Sequence, residues 1–193
     1  RLDGGPQVGD RPLAVALEPA DPVEVEGVDV GDVVQHPQLD EQCHLLLAQE
    51  ARWQLGLDEV LMVTTARAPH KEIEDDPGAE VRLEMTERAA SGEDGVEASG
   101  IELEREGPSY SYLTLEALTA RDPDREIFFL LGADMAAGLA SWKEPERVVE
   151  LARLGVVPRP GVGLGAVRSA LERLGAADRA EIIEMPLCGV SST

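Results

Sequence analysis

Aromatic side chains are nearly missing from this sequence: two Phe, two Tyr and two Trp make up 3% of its 193 residues. A core for a chain of this length has to be aliphatic, filled by Leu, Val, Ile and Ala. Cysteine is equally scarce. Cys43 and Cys188 share no CxxC or metal-ligand spacing, which favours a reduced, cytoplasmic chain and leaves a long-range disulfide open. No apolar run is long enough to cross a bilayer, and the first residues pair no basic region with an apolar stretch. Neither a membrane span nor a signal peptide is expected. Positive charge is short too, with 17 Lys and Arg against 38 Asp and Glu, for a net charge of −21 at pH 7. Affinity for a phosphate backbone needs clustered cations, so general nucleic-acid binding is excluded. A single nucleotide is not, because a few local cations and backbone amides hold it.

What is present is an alternation of helix and strand signals, which implies one α/β domain with a Rossmann-like parallel sheet flanked by helices. Leu13 to Leu17 is a short apolar strand, and Val23 to Val34 alternates Val with acid as a half-exposed strand does. Four prolines between Pro6 and Pro22 break up the surroundings, and no helix start is evident before Cys43. From His44 the character changes. HLLLAQEARWQLGLDEVLMV reads as a helix capped by Gly56 and a strand over Val60 to Val63. His44 is expected at the helix N-terminus, where free N–H groups and the dipole favour an anion. The polar loop TTARAPHKEIEDDPG follows, long enough to carry function. Glu80 to Ala90 is a helix and Gly95 to Leu103 a strand.

The stretch from Gly107 to Trp142 organises the rest. Gly107, Pro108 and Ser109 open a helix with Leu115 and Leu118 at helical spacing. Asp122-Pro123-Asp124 is a turn. Ile127 to Leu131 is an unbroken apolar run, as in a buried parallel strand, and it ends at Gly132-Ala133-Asp134, where an open α/β sheet binds ligands. Glu144 to Leu151 is a helix with Pro145 in its first turn. Gly155 to Val157 is a strand, Gly161 opens a glycine-rich entry to a helix, and Ala180 to Met185 is a last strand. The glycines after Gly161 lack GxGxxG spacing and make no dinucleotide loop.

The pieces SYS-x-x-TL at Ser109 to Leu115, GAD at Gly132 to Asp134 and Trp142 resemble the bacterial nicotinate-mononucleotide adenylyltransferases, in the nucleotidyltransferase superfamily. APHK at Ala68 to Lys71, RPG at Arg159 to Gly161 and the Ser-Ser-Thr at 191–193 extend the resemblance. It covers His44 to Thr193. Residues 1–43 are expected to be an atypical segment with one or two strands, since the family's opening glycine-rich loop and His-x-Gly-His motif are represented only by His44. The helix expected after Ser-Ser-Thr, with its Arg, is also missing. A divergent start, or one mistranslated through a frame error, is the explanation expected for the discontinuity over residues 1–43.

The resemblance implies adenylyl transfer from ATP to nicotinate mononucleotide, with Mg²⁺ accompanying ATP. It assigns His44 to the reacting phosphate, Lys71 to the mononucleotide phosphate, and Gly132, Asp134, Arg159, Ser191, Ser192 and Thr193 to ATP. Asp134 also meets a ribose hydroxyl. Tyr110, Ser111 and Trp142 take the nicotinate end: backbone amides near Ser111 and Trp142 receive the ring carboxylate, and the indole stacks on the ring. Each residue has a blander reading: Trp142 as core filling, Asp134 as a helix cap, Lys71 as a solvated cation. Leu113 stands where the family commonly has an acid. Two rivals follow, a family chain that binds nucleotide or a partner without catalysis, and an enzyme for another acceptor such as nicotinamide mononucleotide or phosphopantetheine. A homo-oligomer stays open.

Overall fold

The computed structural model describes residues 12–17, 37–67 and 77–185. Its strands are β1 (Leu13–Leu17), β2 (Glu59–Val63), β3 (Val96–Ser99), β4 (Ile127–Gly132), β5 (Arg153–Val157) and β6 (Ala180–Ile182). Its helices are α1 (Pro37–Leu55), α2 (Ala79–Ala90), α3 (Ser111–Arg121), α4 (Ala133–Gly138), α5 (Pro145–Leu151) and α6 (Leu164–Arg173). The strands form one parallel sheet of order β3-β2-β1-β4-β5-β6. The chain winds outward from β1 to β3, then returns to β4 and winds the other way. The switch point therefore lies between β1 and β4, and a ligand crevice opens beyond their carboxyl ends.

Side chains alternate along each strand, so the sheet builds two cores. On one face Val15, Phe129, Leu131, Leu154 and Val156 pack with Leu115 and Leu118 of α3, Ala136 of α4, Val148 of α5 and Leu171 of α6. On the other, Ala14, Ala16, Val60, Phe128 and Leu130 meet Ala48 and Ala51 of α1 and Ala90 of α2. Alanine against alanine lets α1 approach the central strand closely. The core is aliphatic, as the composition requires; Phe128 and Phe129 serve opposite faces. Arg147 braces α5 to α3 through Glu116 at 2.8 Å. Its pKa is raised above the ordinary value, first by that hydrogen bond and then by the one to Glu150.

Several boundaries shift by a residue or two from those read in the sequence, and three differ by more. The helix expected to start near His44 begins at Pro37, since proline is tolerated at the first helical position. The strand expected over Gly95 to Leu103 stops at Ser99, because Gly100 lies against Leu83 and the Leu103 N–H turns back to the Gly100 carbonyl at 2.9 Å. The strand expected to reach Met185 stops at Ile182, and the side-chain amide of Gln54 in α1 takes over both backbone groups of Glu184, at 2.9 and 2.5 Å. Leu13–Leu17 is the central strand, bonded to both β2 and β4. Val23 to Val34 lies outside the described residues.

Candidate active site

The carboxyl end of β4 sets the geometry. Gly132 leaves the strand with φ −67 and ψ 155 as the N-cap of α4, a conformation open to any residue. What glycine supplies is room: a Cβ there would overlap Asp134 Oδ1 and lie 2.8 Å from Arg159 Nε. Asp134 is in the first turn of α4 and makes no capping hydrogen bond. It faces Arg159, two residues beyond β5, with Nε and Oδ1 3.4 Å apart and both side chains about two-thirds covered. Asp134 Oδ1 is buried and accepts no hydrogen bond. An acid and an arginine thus meet over the carboxyl ends of β4 and β5, one strand from the switch point, each holding unused hydrogen-bonding capacity.

Trp142 follows α4 and a 3₁₀ turn at Leu139–Ser141. Its indole sits edge-on to Phe129, with ring centroids 6.2 Å apart at 69°. Its backbone N–H, expected to receive a ligand carboxylate, donates to the Leu139 carbonyl at 3.0 Å. The donor it retains is the indole Nε1–H, which is buried and without a partner.

The entry to α3 is the third component. Ser109 is buried and ties two segments together: its N–H donates to the Arg67 carbonyl at 2.9 Å, and its Oγ accepts the Arg67 N–H at 3.1 Å. The chain after β2 is thereby joined to the start of α3. Tyr110 is the N-cap, no side chain caps the helix, and the Tyr110 and Tyr112 rings stack 6.1 Å apart. The first N–H groups of a helix lack intrahelical acceptors, so those near Ser111 form an anion-binding end.

Behind this end lies a polar cluster that sequence reading missed. Glu102 is 1% exposed, in the turns after β3. The buried Thr114 Oγ1 donates to Glu102 Oε1 at 2.5 Å and accepts from Arg105 Nη2 at 3.1 Å. Arg105 also reaches the Tyr110 carbonyl at 3.4 Å. In a chain with 38 acids, ELEREG reads as a solvated run; only the isoleucine and leucine flanking Glu102 hint at burial.

His44 is the eighth residue of α1, and so not at a helix end as expected. From Leu55 back to His44 the helix rises about 16 Å, close to the height of a five-residue strand, about 16 Å. His44 therefore stands level with the carboxyl ends of the strands, on the face opposite Asp134's helix. Lys71, Ser191, Ser192 and Thr193 lie outside the described residues. Cations near the site within the described residues include Arg67 and Arg159. No group of three or more His, Cys, Asp or Glu among the described residues could hold a metal ion.

Sheet order and site position define a doubly wound α/β protein whose ligand crevice lies over the first and fourth strands. The cytidylyltransferase-like family model matches residues 42–193, and the chain belongs to that family. It is 38% identical over 122 residues, 63% of its length, to a probable nicotinate-nucleotide adenylyltransferase of Streptococcus pneumoniae. It is 35% identical over 150 residues, 78% of its length, to a relative of the same name in Geobacillus thermodenitrificans. The matches cover 58% and 65% of those two proteins. The fold resembles that of Plasmodium falciparum nicotinic acid mononucleotide adenylyltransferase complexed with NaAD, with a TM-score of 0.63 at 15% identity, covering 91% of this chain and 76% of that one.

Proposed function

We propose that this chain transfers an adenylyl group from ATP to nicotinate mononucleotide, giving nicotinate adenine dinucleotide and pyrophosphate. The observation that carries the reading is the Asp134–Arg159 pair at the carboxyl ends of β4 and β5, beside the switch point, in a chain with relatives named for this activity. The mononucleotide phosphate attacks the α-phosphorus of ATP, and the bond to the pyrophosphate oxygen breaks in line. No covalent enzyme intermediate is needed, so catalysis consists of positioning and charge stabilisation.

Arg159 binds ATP phosphate, as a guanidinium can with two parallel donors. Asp134 accepts from a ribose hydroxyl, filling the capacity left open at Oδ1, and Gly132 gives the nucleotide close access to the strand end. Lys71 takes the mononucleotide phosphate, and Ser191, Ser192 and Thr193 contact ATP phosphates. His44 acts through its imidazole, from within α1, on the reacting phosphate. Tyr110 shapes the acceptor pocket, the α3 N-terminus near Ser111 meets the nicotinate carboxylate, and Trp142 covers the ring. The buried Nε1–H of Trp142 adds a donor suited to a carboxylate. Mg²⁺ enters as part of the Mg-ATP substrate. No described helix is long and apolar enough to cross a membrane; the reading places the chain in the cytoplasm.

The test is pyrophosphate release with Mg-ATP and each acceptor in turn. Turnover with nicotinate mononucleotide supports the reading. Binding of both nucleotides without turnover would favour the non-catalytic alternative.

A further inference from the structure

We propose that Arg105, held by Glu102 through the Thr114 hydroxyl, is a positioning residue for the acceptor-binding end of α3. The inference rests on the reading that this end receives the mononucleotide's ring carboxylate.

The network is directional. Thr114 Oγ1 stands between the two charges, accepting from Arg105 Nη2 at 3.1 Å and donating to Glu102 Oε1 at 2.5 Å. The direct Arg105–Glu102 separation is 3.7 Å, an ion pair too long for a hydrogen bond, so the hydrogen-bonded link between them passes through the hydroxyl. The far end of the network is the Tyr110 carbonyl, 3.4 Å from Arg105 Nη2. That carbonyl also accepts the Leu113 and Thr114 N–H groups, at 3.0 and 3.3 Å, and so sets the direction in which α3 begins.

A cation at a helix N-terminus opposes the dipole unless an anion accompanies it, and Glu102 is that anion. Such a cluster is not needed for packing. Glu102 Oε2 and Arg105 Nη1 are buried without partners, and an apolar replacement of a buried ion pair is often neutral or stabilising. The Tyr110 N–H is already spent on the Pro108 carbonyl at 3.1 Å, so the geometric consequence falls on the N–H groups that follow it at the start of α3, from Ser111 on.

The test compares Thr114→Val, Thr114→Ser and Arg105→Met with the unaltered chain. Affinities for nicotinate mononucleotide and for Mg-ATP are measured separately by titration calorimetry, alongside thermal melts. Thr114→Val keeps the side-chain shape, and is expected to weaken mononucleotide binding about tenfold while Mg-ATP affinity holds. Thr114→Ser restores the hydroxyl and the affinity. Arg105→Met is expected to match Thr114→Val; it also strands a buried carboxylate, so Thr114→Val decides if Arg105→Met fails to fold. Equal mononucleotide affinity in the unaltered chain and Thr114→Val overturns the inference, as does an equal loss for both nucleotides. An unaltered chain that binds no nicotinate mononucleotide overturns the functional reading itself, and the inference with it.

Discussion

Asp134 and Arg159 face each other across the ends of two adjacent strands, 3.4 Å apart, over a glycine with no room for a methyl group. The carboxylate keeps the guanidinium at the crevice, and the guanidinium supplies positive charge that an otherwise acidic chain lacks. In the proposed reaction each turns to the nucleotide, Asp134 to a hydroxyl and Arg159 to phosphate.

Arg159→Ala is therefore expected to raise the KM for ATP by about 10- to 100-fold, the range for losing hydrogen bonds to a charged group. Arg159→Lys recovers only part, since a point charge does not reproduce the two-donor fork. Steady-state kinetics with ATP varied at saturating acceptor reads this out. An unchanged KM for both variants would remove Arg159 from the site.

Gly132→Ala separates room from conformation. The backbone angles suit alanine, so folding changes by only about 1 kcal/mol, but the added methyl displaces Asp134 and Arg159 together. A drop in kcat/KM of about tenfold or more is expected in a protein of near-normal thermal stability.

Gly155→Ala is the matching control in the core. Its Cβ would lie 2.6 Å from Leu130 Cδ2 and 2.9 Å from Ile183 Cδ1. The overpacking should destabilise by about 1–3 kcal/mol, read from denaturant unfolding, with activity per folded molecule unaltered.

Trp142 has two roles that two substitutions can part. Trp142→Phe keeps a ring against Phe129, a contact of roughly 1 kcal/mol, and loses only the Nε1–H donor. The expected result is a raised KM for nicotinate mononucleotide and little change for ATP. Trp142→Ala also removes the ring packing and should lower stability by about 2 kcal/mol. Loss of stability without any change in acceptor KM would make Trp142 a core residue alone.

Much of this was readable in advance for physical reasons. Ile127 to Leu131 is apolar on every residue because both faces of β4 are covered, and an acid three residues beyond such a run has few places to be other than past the strand's carboxyl end. Pro145 and Gly56 marked helix ends through backbone geometry that does not depend on the rest of the fold. β1 was found as a strand, yet its place at the centre of the sheet was not legible, since LAVAL carries no mark of its neighbours. The start of α1 at Pro37 was missed because PQLDEQC has no apolar periodicity, while a proline at the first position is compatible with a helix all the same. Glu102 was hidden by composition: in a chain with 38 acids it looks like any other until the fold encloses it.

The most direct test of the central claim is pyrophosphate release by the folded, purified chain with Mg-ATP, run in parallel with nicotinate mononucleotide, nicotinamide mononucleotide and phosphopantetheine. Release with nicotinate mononucleotide, far above that with the other two, is the predicted result. No release from a sample shown to be folded, or release with another acceptor alone, would contradict it.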